Sequence, residues 1–137
     1  MEKAIRFSVS LPEPLLDKFD ELIKQSECVS RSEFIRDLIR EQIAKETWND
    51  ENKEVIAVLV IAYDHHEGEV VMRKMRIEHD ANIEITCTNH VHIDHCNCLE
   101  TIILKGLVSE IEHFSNSISG LKGVKFAKLT RASVPKY

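Results

Sequence analysis

Hydrophobic and polar positions alternate along Ile5-Arg6-Phe7-Ser8-Val9-Ser10-Leu11, placing Phe7, Val9 and Leu11 on one face and Arg6, Ser8 and Ser10 on the other. The period predicts a short strand. Pro12 and Pro14 end it and open a helix, because proline is tolerated in a first helical turn. Leu15, Leu16, Phe19, Leu22 and Ile23 form the apolar stripe of that helix. Ser30-Arg31-Ser32-Glu33 then reads as a capping box, with Ser30 as N-cap and Glu33 three residues on. The helix it starts turns Phe34, Ile35, Leu38, Ile39 and Ile43 inward and runs to about Lys45. Thr47–Lys53 is polar apart from Trp48 and reads as a linker.

The pattern changes after the linker. Val55–Tyr63 is an almost wholly apolar run of strand length, expected to be buried on both faces or at an oligomer interface. A helix is predicted over Glu67–Glu78, strands over Ile83–His92 and Leu99–Leu104, a helix over Val108–Ser119 and a last strand over Val124–Thr130. The order β-α-β-β-α-β is the split, ferredoxin-like (ACT-like) arrangement. The expected class is α+β, with domains at 1–48 and 54–137 joined by 49–53.

A lone strand and two helices bury too little to stand as a monomer. A two-fold dimer solves this: two N-terminal strands pair as an antiparallel ribbon and four helices share a core. Such a ribbon fits the major groove of DNA, with Arg6, Ser8 and Ser10 in a row toward the bases. The free N–H groups at the start of the second helix, beside Arg31, suit a phosphate. A helical hairpin merely capped by its leading strand would leave the Arg-Ser-Ser face without a reason.

Composition sharpens this only in part. The chain has 137 residues and a net charge of −5. Residues 1–48 hold eight Lys/Arg against ten Asp/Glu, so DNA binding would have to use a local basic strip. No apolar run is long enough for a membrane helix, and Met1–Arg6 lacks the apolar core of a signal peptide. Cytoplasm is the expected compartment, where thiols stay reduced. The four cysteines (Cys28, Cys87, Cys96, Cys98) form no C-x-x-C pair, which argues against zinc ribbons and thioredoxin-like sites.

The chemistry concentrates in His90-Val91-His92 and, five intervening residues later, Cys98. Two imidazoles two apart on a strand share a face. The next strand can bring the thiolate beside them, and His79 lies upstream as a plausible fourth ligand. Three nitrogens and one sulfur suit Ni(II), Cu(II) or Zn(II) and suit Mg or Ca badly. Cys96 is the rival thiolate. Cys87 reads as a buried core thiol on the opposite strand face, His113 as a surface residue, and His65 and His66 as loop histidines or a secondary metal site.

These two halves together resemble the nickel-responsive transcriptional repressors, a family with a ribbon-helix-helix domain ahead of a ferredoxin-like metal domain. The resemblance rests on His79, His90-Val91-His92-Ile93-Asp94-His95, Cys98-Leu99-Glu100, Leu104-Lys105-Gly106 and Gly123-Val124, with Arg6–Ser10 and Arg31–Asp37 in the first half. It implies a square-planar Ni(II) site, one per chain, built by His90, His92 and Cys98 of one subunit and His79 of the partner subunit. It also implies a homotetramer, a dimer of dimers, that binds double-stranded operator DNA and represses nickel-uptake or nickel-enzyme genes. Arg6, Ser8 and Ser10 would touch base edges, and Glu33 and Asp37 would help hold a second cation in the DNA-bound form. The His95-Cys96-Asn97 turn departs from the pattern by adding a thiol beside the ligand cysteine.

Other classes make different predictions. A metalloenzyme would need an open coordination position and a base such as Glu84 or Glu100; four protein ligands oppose it, so no enzyme is expected. A metal storage or delivery protein would leave the N-terminal ribbon without a purpose. A small-ligand sensor using the same domain without metal would keep its regulation when His90 or Cys98 is replaced; a regulator that senses a different metal is a further alternative.

Overall fold

A computed structural model describes residues 3–133; the outermost ends of the expected domains, 1–2 and 134–137, lie outside them. The chain divides into two compact units, Met1–Glu41 and Gln42–Tyr137.

In the first unit, α1 (Glu13–Gln25) begins after Pro12 with Pro14 in its first turn. α2 (Arg31–Thr47), which begins in this unit and runs past Glu41 into the second, is started by Ser30, whose Oγ accepts a hydrogen bond from the Glu33 N–H at 3.2 Å. Phe19 and Phe34 meet edge to face, with centroids 5.4 Å apart. Neither helix has a buried residue. The strand expected over residues 5–11 forms no ladder in the single chain, and Ile5, Phe7 and Val9 stand 84%, 71% and 65% exposed. A strand exists only through hydrogen bonds to a neighbour, and among the described residues none pairs with this segment.

The second unit follows the expected order: β1 (Glu54–Asp64), α3 (Val70–Asp80), β2 (Glu84–His92), β3 (Asn97–Leu107), α4 (Val108–Ser119), β4 (Val124–Ala132). The four strands form one antiparallel-paired sheet in the order β2-β3-β1-β4. β1 turns Val55, Ala57, Leu59, Ile61 and Tyr63 inward, and β3 adds Ile102 and Leu104. Val70 of α3 and Val108, Ile111, Phe114 and Ile118 of α4 complete the core. Trp48 packs on the same core, its indole N–H donating to the Ala132 carbonyl at 2.9 Å. Gly123 turns the chain into β4 at φ +100°, where a Cβ would come within 3.0 Å of the Glu67 carbonyl oxygen.

Among the described residues of the second unit, α3 and α4 both lie on the core side of the sheet and leave its other face without a helix of that unit. Adjacent strands place Val91–Leu99–Ala62–Phe126 and Cys87–Ile103–Val58–Thr130 in rows across it. Ile56, Val91 and Phe126 are exposed there. Cys87 lies in this layer and is exposed rather than the buried core thiol expected. It does face away from His90, but the face it joins is uncovered in the single chain.

Candidate metal centre

β2 ends in His90-Val91-His92, and the pleat sends both histidines to the inward layer while Val91 faces the other way. The register of the β2–β3 hairpin sets His92 directly opposite Cys98 and His90 opposite Glu100. Asp94 fixes the turn between them. Its Oδ1 accepts from the backbone N–H groups of Cys96 and Asn97, both at 2.8 Å, and its Oδ2 accepts from the Asn97 side-chain amide at 2.9 Å. Those bonds, from Asn97 first, hold the Asp94 carboxyl down to about 2.

The result is a cluster of His90, His92 and Cys98 whose donor atoms all lie within 4.8 Å of one another. Cys98 Sγ is 3.6 Å from His92 Nδ1. Cys98 is buried while both imidazoles are exposed, so one side of the cluster is lined by protein and the other is open. Burial, followed by Glu100, Asp94 and Asp64, pushes the Cys98 thiol above its ordinary pKa. The uncharged form is favoured until a cation takes the proton's place. Two borderline nitrogens and one soft sulfur at this separation fit a late transition metal.

His65 approaches the same sulfur, its Nδ1 3.5 Å from Cys98 Sγ. The signal for it was the strand register. Tyr63 of β1 pairs with Cys98 of β3, so residues just past β1 flank the thiol. The His66 ring meets that of His65 at a tilt, with centroids 3.9 Å apart, and lies 5.8 Å from the His95 ring. Cys96 is half-buried in the turn and outside the three-residue cluster.

His79 does not join the cluster within the chain. It sits at the end of α3 with its side chain 89% exposed and its Nδ1 3.4 Å from Asp80. Beneath the cluster, Glu100 is buried between His90 and Lys74, and Lys74 of α3 is itself buried. In the sequence Glu100 stands out as a candidate base and as part of the Cys98-Leu99-Glu100 motif, while Lys74 carries no such mark. Lys74 is the single lysine of α3, four residues after buried Val70 and three before Ile77, so the helical period places it on the inward stripe, although its charge speaks for solvent.

In the first unit, Arg6, Ser8 and Ser10 are exposed. Arg31 forms a bidentate pair with Asp20, at 2.8 and 2.7 Å, which lowers the Asp20 pKa. Glu33 is half-buried, and Asp37 pairs with Arg40 at 3.1 Å. No described helix is long and apolar enough to cross a membrane.

Known proteins align with both halves. Residues 5–46 match the family described as ribbon-helix-helix protein, copG family, and residues 56–132 match the NikR C terminal nickel binding domain. A protein of Campylobacter concisus named as a nickel-responsive regulator is 56% identical over 137 residues, covering all of both chains. Similarly named proteins of Helicobacter hepaticus and Helicobacter pylori are 53% and 50% identical, covering 94% of both chains and 96% and 91% of the two chains respectively. The fold, the paired domain types and these full-length likenesses agree: the chain belongs to the NikR family of nickel-responsive regulators, which are transcription regulators and not enzymes.

Proposed function

We propose that the protein is a cytoplasmic repressor that binds operator DNA when Ni(II) fills a site shared between subunits. The observation that carries this reading is the convergence of His90, His92 and Cys98 in a chain that also bears a ribbon-helix-helix segment. These three would hold one Ni(II) per chain, with His79 of the partner subunit as the fourth ligand. His79's exposure and its separation from the cluster support donation in trans. Bound there, the metal would supply a link between two subunits. His65 and His66 form a secondary metal position, supported by the approach of His65 to Cys98.

The assembly is a homotetramer, a dimer of dimers. The exposed apolar positions at 5, 7 and 9 support strand pairing between two copies, and the uncovered sheet face supports a second interface. The working division is a DNA-binding domain at 1–48, a linker at 49–53 and a metal and assembly domain at 54–137. Arg6, Ser8 and Ser10 read bases from the ribbon, and Arg31 turns from Asp20 to a phosphate. Glu33 and Asp37 hold a second cation in the DNA-bound form, which requires Asp37 to leave Arg40.

Regulation is linkage between sites. The filled ligand set favours one arrangement of subunits, and that arrangement sets both ribbons on operator half-sites. The differential affinity needed is roughly 1–3 kcal/mol for ordinary coupling. Equal affinity for both arrangements would switch nothing.

The test is binding of the metal-stripped protein to selected duplex fragments, with and without one equivalent of Ni(II) per chain, with absorption spectra of the same samples. Nickel-dependent DNA binding and a nickel–thiolate band, both lost in His90→Ala, are the expected results. Tight nickel binding with no effect on DNA would refute the regulator reading.

A further inference from the structure

We infer that Lys74 is a positioning residue of the metal centre, holding the Glu100 carboxylate against Nδ1 of His90 so that Nε2 is left as that ring's donor atom. The inference rests on the reading of His90 as a ligand.

The geometry is a buried chain of charges leading away from the cluster. Lys74 Nζ donates to Glu78 Oε1 at 2.8 Å and lies 3.2 Å from Glu100 Oε2. The other carboxylate oxygen, Oε1, lies 3.3 Å from His90 Nδ1. The Lys74 and Glu100 side chains are only 7% and 5% exposed. Oε2 of Glu100 is fully buried and receives no well-directed hydrogen bond. The Lys74 ammonium therefore compensates it by charge and proximity. Tyr63 closes the chain from β1: burial and the Glu100 charge together push its phenol well above the ordinary range.

A lysine is a costly residue for this place. Its charge must leave water and find partners, whereas an apolar side chain of similar length would pack without either. Structural compensation alone does not explain the arrangement, since removing both Lys74 and Glu100 would dispense with it. What the pair accomplishes is directional. One oxygen of Glu100 is occupied by the ammonium, and the other is presented to a single nitrogen of His90. A carboxylate behind a ligating imidazole selects its tautomer and fixes the ring plane. Glu78 anchors the ammonium on α3, one residue before His79. Helix α3 and the β2–β3 hairpin are thereby tied together within one chain.

Two full-length variants separate positioning from mere charge compensation: Lys74→Met, which keeps the stem, and the double Lys74→Met/Glu100→Leu, which removes the buried charges together. Three readouts are needed: the His90 tautomer by 15N NMR without metal, nickel affinity by chelator competition, and thermal unfolding. Wild-type His90 is expected in the Nδ1–H form. Lys74→Met should lose that single tautomer and bind nickel about 10–100-fold more weakly. The double variant should recover thermal stability yet recover neither the tautomer nor the affinity.

A Lys74→Met protein with the wild-type tautomer and affinity would overturn the inference. So would a double variant that regains affinity along with stability, because Lys74 would then only balance a buried charge. If the wild-type protein itself bound no nickel, the reading of the site would fall. The tautomer, measured without metal, would still decide the role of Lys74.

Discussion

Val58 lies in β1 on the uncovered sheet face, flanked by Ile103 and Thr130 across the ladder. If that face joins subunits, a charge placed there must be desolvated on assembly. Val58→Glu loses about 1 kcal/mol of apolar burial, since valine is already half-buried in the single chain, and full burial is worth roughly 1.5–3. Desolvating the carboxylate adds several kcal/mol, of which about 2 is a conservative share. The total is about 3 kcal/mol per copy. A two-fold interface carries the residue twice, giving about 6 kcal/mol, or roughly 10⁴-fold in the dissociation constant. The subunit itself should tolerate the change, because the strand penalty is within about 1 kcal/mol. Sedimentation equilibrium from micromolar to dilute protein should show smaller species than wild type, with the far-ultraviolet spectrum retained. An unchanged assembly across that range would refute the assignment of this face.

Four further outcomes follow from the same structure. Cys98→Ser should abolish the nickel–thiolate band and, by burying a hydroxyl where a thiol packed, cost about 1–3 kcal/mol in urea unfolding. Mixing His79→Ala with His90→Ala subunits should restore part of the nickel binding that each lacks alone; no restoration would exclude His79 as a ligand donated in trans. Arg6→Ala should abolish operator binding in a mobility-shift assay while chelator competition gives unchanged nickel affinity. Trp48→Phe removes the bond to Ala132 and the contact with Arg131, whose guanidinium lies 5.6 Å from the ring. It should destabilise by roughly 1–2 kcal/mol, followed by circular dichroism because Trp48 is the protein's single tryptophan.

Much of the second unit was legible because its elements carry their own period. β1 is the exception: Val55–Tyr63 is apolar throughout, so its length marks a strand while the alternation of buried and half-buried positions comes from the structure, and β2 and β3 are bounded by a turn rich in polar residues. The pair His90 and His92 was legible for the same reason, since spacing by two fixes a shared face. What was hidden depends on partners remote in sequence. His65 reaches Cys98 only because β1 lies beside β3, and Glu100 matters only because Lys74 comes down on it from a helix. Cys87 was placed on the right face, but whether a face is covered is decided by other elements, not by the strand's own pattern. The segment from Ile5 to Leu11 carries the clearest alternation of the first half and yet forms no ladder in the single chain.

The two exposed apolar surfaces and the incomplete ligand cluster belong to one physical argument. A chain that folds alone gains by hiding large apolar side chains, yet Ile5, Phe7 and Val9 are left out at one end and Val91 and Phe126 across a sheet face. Each of these surfaces is expected to be hidden by another copy of the chain. The metal donors share the same deficit, because three of the four expected ligands gather while His79 stands in solvent. Assembly through the sheet face and completion of the ligand set are therefore expected to be coupled, and Val58→Glu should weaken nickel binding as it separates the subunits. Full-affinity nickel binding by the separated Val58→Glu protein would show that the site needs no partner, and the linkage between metal and operator would then lose its structural basis.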